Sequence, residues 1–369
     1  MHLADIIPSI FAGLGLSDVY DSGGFGESPH GRECLLLVDG LGADIIEKYA
    51  EFAPTLNRLT FFSPVLTAFP STTATSLTTL MTGTLPGTHG MLGYTVRVPR
   101  SGGRILNSLK WDERVDPQSW QPVPTLFERG SAAGISVSHV ASKRYENTGF
   151  TEAAFRGAVY RGANTLPEMV EETKSALKMT PSFAYLYLND LDVAGHSFGV
   201  GSEKWLLALA SVDHAVRTLL DQLPTGTRFW LTSDHGMINV EEKIILGREN
   251  SLLEGISLVA GEPRARHLYL EDRFLEESGP NEIAENWRST LGESVEVFTR
   301  QEAIDANLFG LFVSHDASDR MGDLIAIARG GLILIDPLRI NLESVMVGHH
   351  GASTDAEKLV PLGTALISR

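Results

Sequence analysis

The chain has a single cysteine, Cys34, in 369 residues, which excludes an internal disulfide and a cysteine-based zinc cluster. Cys34 opens an apolar run, where a thiol serves as a small buried filler. No apolar stretch approaches the roughly 20 residues of a membrane span. The N-terminal MHLADIIPSIFAGLGLSDVY carries acids and lacks a basic n-region, so it does not read as a signal peptide. Positive charge is also scarce: 30 Lys and Arg against 46 Asp and Glu leave a net charge of −16. Such a surface repels a nucleic-acid backbone and an anionic membrane alike. The expectation is a cytoplasmic protein with neither nucleic-acid polymer nor membrane as partner, and no particular oligomeric state is implied. An anionic ligand would need a local cationic site, which bound metal supplies.

What is present is a chain that can bury a large core. Hydrophobic residues make up 43% and charged residues 21%, and the length suits one large core with an inserted subdomain. Apolar runs alternate with helical patterns, as βαβ units do. ECLLLVDG, GISVSHV, SFAYLYL and TRFWLTSD read as buried strands. Helices are expected through GADIIEKYA, through STTATSLTTLMTG up to Gly83, and through SEKWLLALASVDHAVRTLLDQL. The last carries Trp205, Leu206, Leu209, Val212, Val216 and Leu219 on one stripe. The fold class predicted is α/β: a mostly parallel central sheet flanked by helices, with a small α+β insertion. Residues 258–336 are assigned to the insertion, and 1–257 with 337–369 to the core.

Ligand groups of open α/β sheets gather beyond the carboxyl ends of the strands. Asp39, Asp190 or Asp192, and Asp234 fall at such ends. Asp192 and His196 are four apart, so both can reach one face, and Asp190 lacks that spacing. Asp234-His235-Gly236 places an acid and an imidazole on one tight turn, and His350 lies within Gly348-His349-His350-Gly351. Asp39, Asp192, His196, Asp234, His235 and His350 make three carboxylates and three imidazoles, about what two divalent ions require. His139, His214 and His267 sit inside periodic patterns and read as structural.

Ser71-Thr72-Thr73-Ala74-Thr75-Ser76 is denser in hydroxyls than helix capping needs. A hydroxyl at a helix N-terminus lies where negative charge is favoured, and a neighbouring cation would ease its ionisation. Gly195-His196-Ser197-Phe198-Gly199 also fits the serine elbow of α/β-hydrolases, but FAYLYL ends at Leu188, well before Ser197. An elbow places its serine directly after a strand, so the metal reading takes precedence. A non-catalytic metal-binding protein is the remaining alternative.

In order, these motifs resemble the alkaline phosphatase superfamily and, within it, the nucleotide pyrophosphatase/phosphodiesterase branch. Asp39-Gly40, Phe69-Pro70-Ser71-Thr72-Thr73, Gly83 ten residues after Thr73, Asp192 to His196, Asp234 to Met237, and Gly348 to Gly351 match that family's pattern. The resemblance implies Thr73 as nucleophile and His350 over His349 as ligand. It implies one zinc held by Asp39, Asp234, His235 and Thr73, and another by Asp192, His196 and His350, with manganese or iron as alternative metals. It implies hydrolysis of a phosphate diester or phosphoanhydride through a phosphothreonine, on a small phosphate ester or nucleotide. Phosphomonoester or phosphonate hydrolysis is the alternative within the superfamily. The chain departs from the family at Tyr94, which stands where an asparagine is expected to contact phosphate. The phosphate contact and the nucleotide preference turn on that tyrosine.

Overall fold

The computed structural model describes residues 1–276 and 279–368. The strands of its two larger sheets are, first, β1 (Arg32–Val38), β2 (Thr60–Phe61), β3 (Ser136–Ala141), β4 (Val159–Gly162), β5 (Ser182–Leu188) and β6 (Arg228–Thr232). There follow β7 (Ile256–Glu262), β8 (Ala265–Leu270), β9 (Val295–Thr299), β10 (Leu324–Ala328) and β11 (Leu362–Leu366). The helices that matter here are α1 (Thr73–Thr82), α2 (Asp190–Phe198), α3 (Glu203–Gln222) and α4 (Gly279–Leu291).

A seven-stranded sheet runs in the order β2-β11-β6-β1-β5-β3-β4. The run from β6 to β4 is parallel, while β11 pairs antiparallel with both β6 and β2. The sheet is mostly parallel, as expected, and its antiparallel pairings lie at one side. β1 at its centre is covered on both faces, which is why CLLLV is a continuous apolar run instead of an alternating one. Leu35 and Leu37 enter one core, and Cys34, Leu36 and Val38 enter the other. α3 closes the second core with Trp205, Leu209, Val212, Val216 and Leu219, the predicted stripe apart from the partly buried Leu206. Its buried Asp213 accepts the Thr55 and Leu56 N–H groups at 2.6 and 2.8 Å, anchoring the loop beneath.

The helix expected through GADIIEKYA is shorter than its pattern. It holds only over Ile45–Lys48, and the chain then turns into a 3-10 segment at Ala50–Phe52. The Asn57 amide donates to the Ile46 carbonyl at 3.2 Å, the group that the Ala50 N–H would have used in a longer helix.

A second, antiparallel sheet has the order β7-β8-β10-β9. α4 covers one face, with Ile283, Ala284 and Trp287 against Leu268, Leu270 and Val297. Ile325 and Ile327 on the other face join the core of the main sheet. The GLILID strand, Leu332–Ile335, pairs in parallel with Glu242–Ile245 outside this sheet.

One buried ion pair ties the β7–β8 hairpin to the last segment of the core. Arg264 Nε and Nη2 donate to Glu357 Oε1 and Oε2 at 3.0 and 2.7 Å, with both side chains fully buried. Glu357 also accepts the Ala352 N–H and the Thr354 hydroxyl, fixing the turn that follows His350. Breaking a buried pair by removing one partner typically costs about 3–5 kcal/mol. Arg264→Leu is expected to lose that much in urea unfolding, and a loss below about 1 kcal/mol would show that the pair does not anchor the hairpin.

Candidate active site and metal centre

Strand register brings the first acids together. Val38 pairs with Leu188 and Leu37 with Thr232, so β1, β5 and β6 end at one level. Asp39 and Asp234 leave the sheet side by side, and the first turn of α2 carries Asp192 over them. Gly40, at φ 77°, makes room: a Cβ there would stand 3.1 Å from Asp192 Cα.

The glycines of the later motifs meet one another. A Cβ on Gly348 would lie 2.5 Å from the Gly195 oxygen and 2.7 Å from Met237 Sδ. A Cβ on Gly195 would lie 2.4 Å from the same sulfur. The residue before His196, the residue two before His350 and the methionine after His235-Gly236 thus form one close contact, which aligns the three imidazoles. The segment holding Gly348 and His349 pairs with Ile238–Asn239.

The imidazoles are oriented by the backbone. His196, His235 and His350 each place Nδ1 on a carbonyl: Gly348 at 2.8 Å, Gly236 at 3.0 Å and Ser71 at 2.8 Å. A carbonyl only accepts, so each Nδ1 carries the proton and each Nε2 a lone pair. Those lone pairs converge. His350 Nε2 is 3.2 Å from His196 Nε2, and Asp192 Oδ1 lies 3.4 Å from the latter and 3.8 Å from the former. His235 Nε2 is 3.3 Å from Asp39 Oδ1, 3.5 Å from Asp234 Oδ2 and 3.3 Å from Thr73 Oγ1. The His235 and His350 rings stack at 3.6 Å between centroids.

Asp39 Oδ1, Asp192 Oδ1 and Asp234 Oδ2 are buried with no hydrogen-bond donor among the described residues. Burial, then Asp234 and Asp192, raises Asp39 well above the usual carboxylate range, and burial raises Asp234 too. Burial, then His235 and His196, holds His350 well below the ordinary imidazole value. Acceptors facing acceptors in a buried space repel unless a proton or a cation lies between them, and carboxylate oxygens converging with imidazole Nε2 atoms are a ligand set that fits divalent metal. Asp39, Asp234 and His235 form one group that can hold an ion, and Asp192, His235 and His350 another. His235 belongs to both, and His196 stands on the second within the distances given above.

Thr73 is the first residue of α1 and lines two clefts, whereas Thr72, its N-cap, lines one. The other hydroxyls of the cluster have local tasks. Ser71 donates to the Ala352 oxygen at 2.7 Å and Ser76 bonds Thr67 at 2.7 Å, whereas Thr75 is fully buried in the helix and lines neither cleft, its Oγ1 without a partner among the described residues. Tyr94 lines the second cleft together with His196 and His350. Ser197 lies inside α2 and is exposed, so the segment forms no strand-to-helix elbow. Asp190 is exposed at the start of α2 and outside the cluster. His139 is buried against Phe155 at 4.5 Å and borders the first cleft; His267 bonds Leu92 and Gly322; His214 is exposed beside Arg217.

Sequence reading missed two residues. Tyr187, two residues before the first polar turn after β5, donates its hydroxyl to Asp39 Oδ2. Glu262, at the end of β7, borders the second cleft, and burial pushes its carboxyl up to about 8. Tyr187 carries only the pattern of a strand residue, and Glu262 only that of a hairpin end.

These features define an α/β protein with a buried carboxylate–imidazole centre beside a helix-terminal threonine. Its sequence matches the family model described as type I phosphodiesterase / nucleotide pyrophosphatase over residues 34–353. The chain belongs to that family. Among curated relatives, ectonucleotide pyrophosphatase/phosphodiesterase family member 1 of Rattus norvegicus is 26% identical over 225 residues, covering 55% of this chain and 24% of that protein. Venom phosphodiesterase of Naja atra is 25% identical over 238 residues, covering 58% and 27%. The chain thus spans about a quarter of the length of these relatives. The solved structure of murine ectonucleotide pyrophosphatase/phosphodiesterase 5 superposes with a TM-score of 0.70 at 15% identity, covering 90% of this chain and 87% of that one. An inactive variant of the same murine protein in complex with AMP gives the same TM-score. At that identity the likeness establishes the fold, an alkaline phosphatase-like α/β sheet.

The buried Glu262 carboxyl makes stability fall as pH rises. Its folded value of about 8 exceeds the unfolded 4.5, so between these the folded chain holds a proton that the unfolded chain has lost. Its contribution to stability is present below pH 4.5 and lost as pH rises toward 8. Glu262→Gln should therefore gain on wild type between pH 5 and pH 8, by a few kcal/mol in urea unfolding. A difference that stays constant across that range would contradict the assignment.

Proposed function

We propose that the chain is a metal-dependent phosphodiesterase or nucleotide pyrophosphatase working through a phosphothreonine at Thr73. The observation that carries this reading is the ring of unpartnered Asp39, Asp192 and Asp234 oxygens and histidine Nε2 atoms beside the Thr73 hydroxyl. Asp39, Asp234 and His235, with Thr73, would hold one divalent ion, and Asp192, His196 and His350 the other, zinc first and manganese or iron as alternatives. Bound there, the ions supply the positive charge that eases ionisation of a hydroxyl and neutralises phosphoryl oxygens.

The chain's own part is positioning. Thr73 stands at an α-helix N-terminus, where free N–H groups favour negative charge. Its Oγ1 attacks phosphorus, the Oγ1–P bond forms as the bond to the leaving oxygen breaks on the far side, and water then releases the phosphothreonine. Two in-line displacements retain configuration at phosphorus overall. Tyr94 lines the second cleft with Thr73, His196 and His350 and is read as a contact to a non-bridging oxygen.

Two clefts meeting at Thr73 favour a diester over a monoester, because each ester arm then has a place. The first has aromatic and apolar walls from Tyr145, Phe150, Phe155 and Leu77, suited to a planar ring. The AMP bound to the murine relative supports a nucleotide as that arm. A phosphomonoesterase would leave one cleft without a task. Residues 258–336 are read as an inserted unit that supplies the wall of the second cleft through Glu262 and Pro263.

Metal-loaded protein is expected to hydrolyse bis-p-nitrophenyl phosphate faster than p-nitrophenyl phosphate and to lose activity on chelation. Thr73→Ala should lower kcat at least about a thousandfold, the scale of a lost nucleophile, while Ser197→Ala should leave it unchanged. Faster monoester turnover would overturn the diester assignment, and near wild-type activity in Thr73→Ala would remove the nucleophile.

A further inference from the structure

The second cleft contains a buried acid that the mechanism leaves unused. Glu262 ends β7 at the tip of the β7–β8 hairpin, 4% exposed, and borders the cleft with Tyr94, Lys110 and Arg339. Its Oε2 accepts the Tyr94 N–H at 3.0 Å, while Oε1 is buried without a partner among the described residues. The carboxyl is seated by a neighbouring glycine: a Cβ on Gly351, next to His350, would lie 2.5 Å from Glu262 Cγ. Buried polar atoms are almost always hydrogen-bonded, so Oε1 has the geometry of a group completed by ligand.

The position of this cleft assigns the arm it receives. Thr73 Oγ1 lies against His235, on the Asp39 side of the centre. A group displaced in line leaves on the opposite side. That side carries His196 and His350, and both border the Glu262 cleft. Lys110 and Arg339 offset the carboxylates of the same lining, of which Glu343 is already paired with Arg266, and a hydroxyl can both donate to Glu262 and accept from these cations. Leu109, Leu342 and Met346 provide apolar cover for a carbon skeleton.

We propose that this cleft is the leaving-group subsite and that Glu262 is a specificity-determining residue, hydrogen-bonding a hydroxyl of the leaving group. Leaving groups that carry additional hydroxyls, polyols and sugars, are its chemical class. The inference rests on the phosphothreonine reading.

The first step run backwards tests it. An alcohol in this cleft attacks the phosphothreonine: a new P–O bond forms, the Thr73 Oγ1–P bond breaks, and the alcohol's proton passes to the threonine oxygen. Metal-loaded enzyme turning over bis-p-nitrophenyl phosphate is given glycerol or propan-1-ol at equal concentration. The glyceryl and propyl p-nitrophenyl phosphates are then measured against p-nitrophenyl phosphate. Per primary hydroxyl, transfer to glycerol is expected to exceed transfer to propanol about 3- to 10-fold, the range one hydrogen bond supplies. Glu262→Met should bring that ratio close to one, and Glu262→Gln should retain part of it. The ratio is internal to each sample, so a slower variant still reports it, and the wild-type comparison needs no variant. Equal transfer in wild type, or an undiminished preference in Glu262→Met, overturns the assignment. Failure of folded, metal-loaded wild type to cleave the diester at all overturns the diesterase reading, and this inference with it.

Discussion

Lone pairs facing lone pairs constrain everything else in this molecule. Three backbone carbonyls take the Nδ1 protons of His196, His235 and His350, leaving three Nε2 acceptors directed at one another and at carboxylate oxygens. Nothing within the described residues donates to Asp39 Oδ1, Asp192 Oδ1 or Asp234 Oδ2. A folded chain holds such an arrangement only if packing elsewhere over-determines it; a proton on one of the raised carboxyls relieves part of the repulsion, and a bound cation relieves more of it.

The packing that does so is identifiable. The register of β1, β5 and β6 fixes where the first acids emerge. The Tyr187 hydroxyl fixes one oxygen of Asp39, and the Gly195, Met237 and Gly348 contact fixes how α2 and the late histidine segment approach. At Gly236 a Cβ would stand 2.0 Å from the Ala356 oxygen, so the Asp234-His235 turn closes directly onto the segment that Arg264 and Glu357 hold. The second sheet, through that ion pair, supports the centre as well as walling the cleft beside it.

Much of this was legible in the sequence, because strands buried on both faces read as unbroken apolar runs and each ends at an acid or a turn. Motif spacing also revealed the Asp192–His196 pair, since residues four apart share a helix face. What could not be read was anything set by tertiary approach. β11 is an ordinary strand whose antiparallel direction follows from the path of the chain. Tyr187 is spaced like its core neighbour Tyr185 but lies near the carboxyl end of β5, where Asp39 emerges from the neighbouring strand. Glu262 meets Tyr94 across 168 positions, a separation no local pattern encodes. The sharing of His235 between two ligand groups was likewise invisible, because it depends on the stacking of His235 on His350.

The central claim is that these acids and imidazoles together hold two cations. Elemental analysis of protein dialysed against zinc tests it most directly. The account predicts two equivalents per folded chain, falling to one or fewer in His350→Ala and in Asp39→Ala. A correctly folded wild-type chain that retains no metal, or variants that keep the full two equivalents, would contradict it.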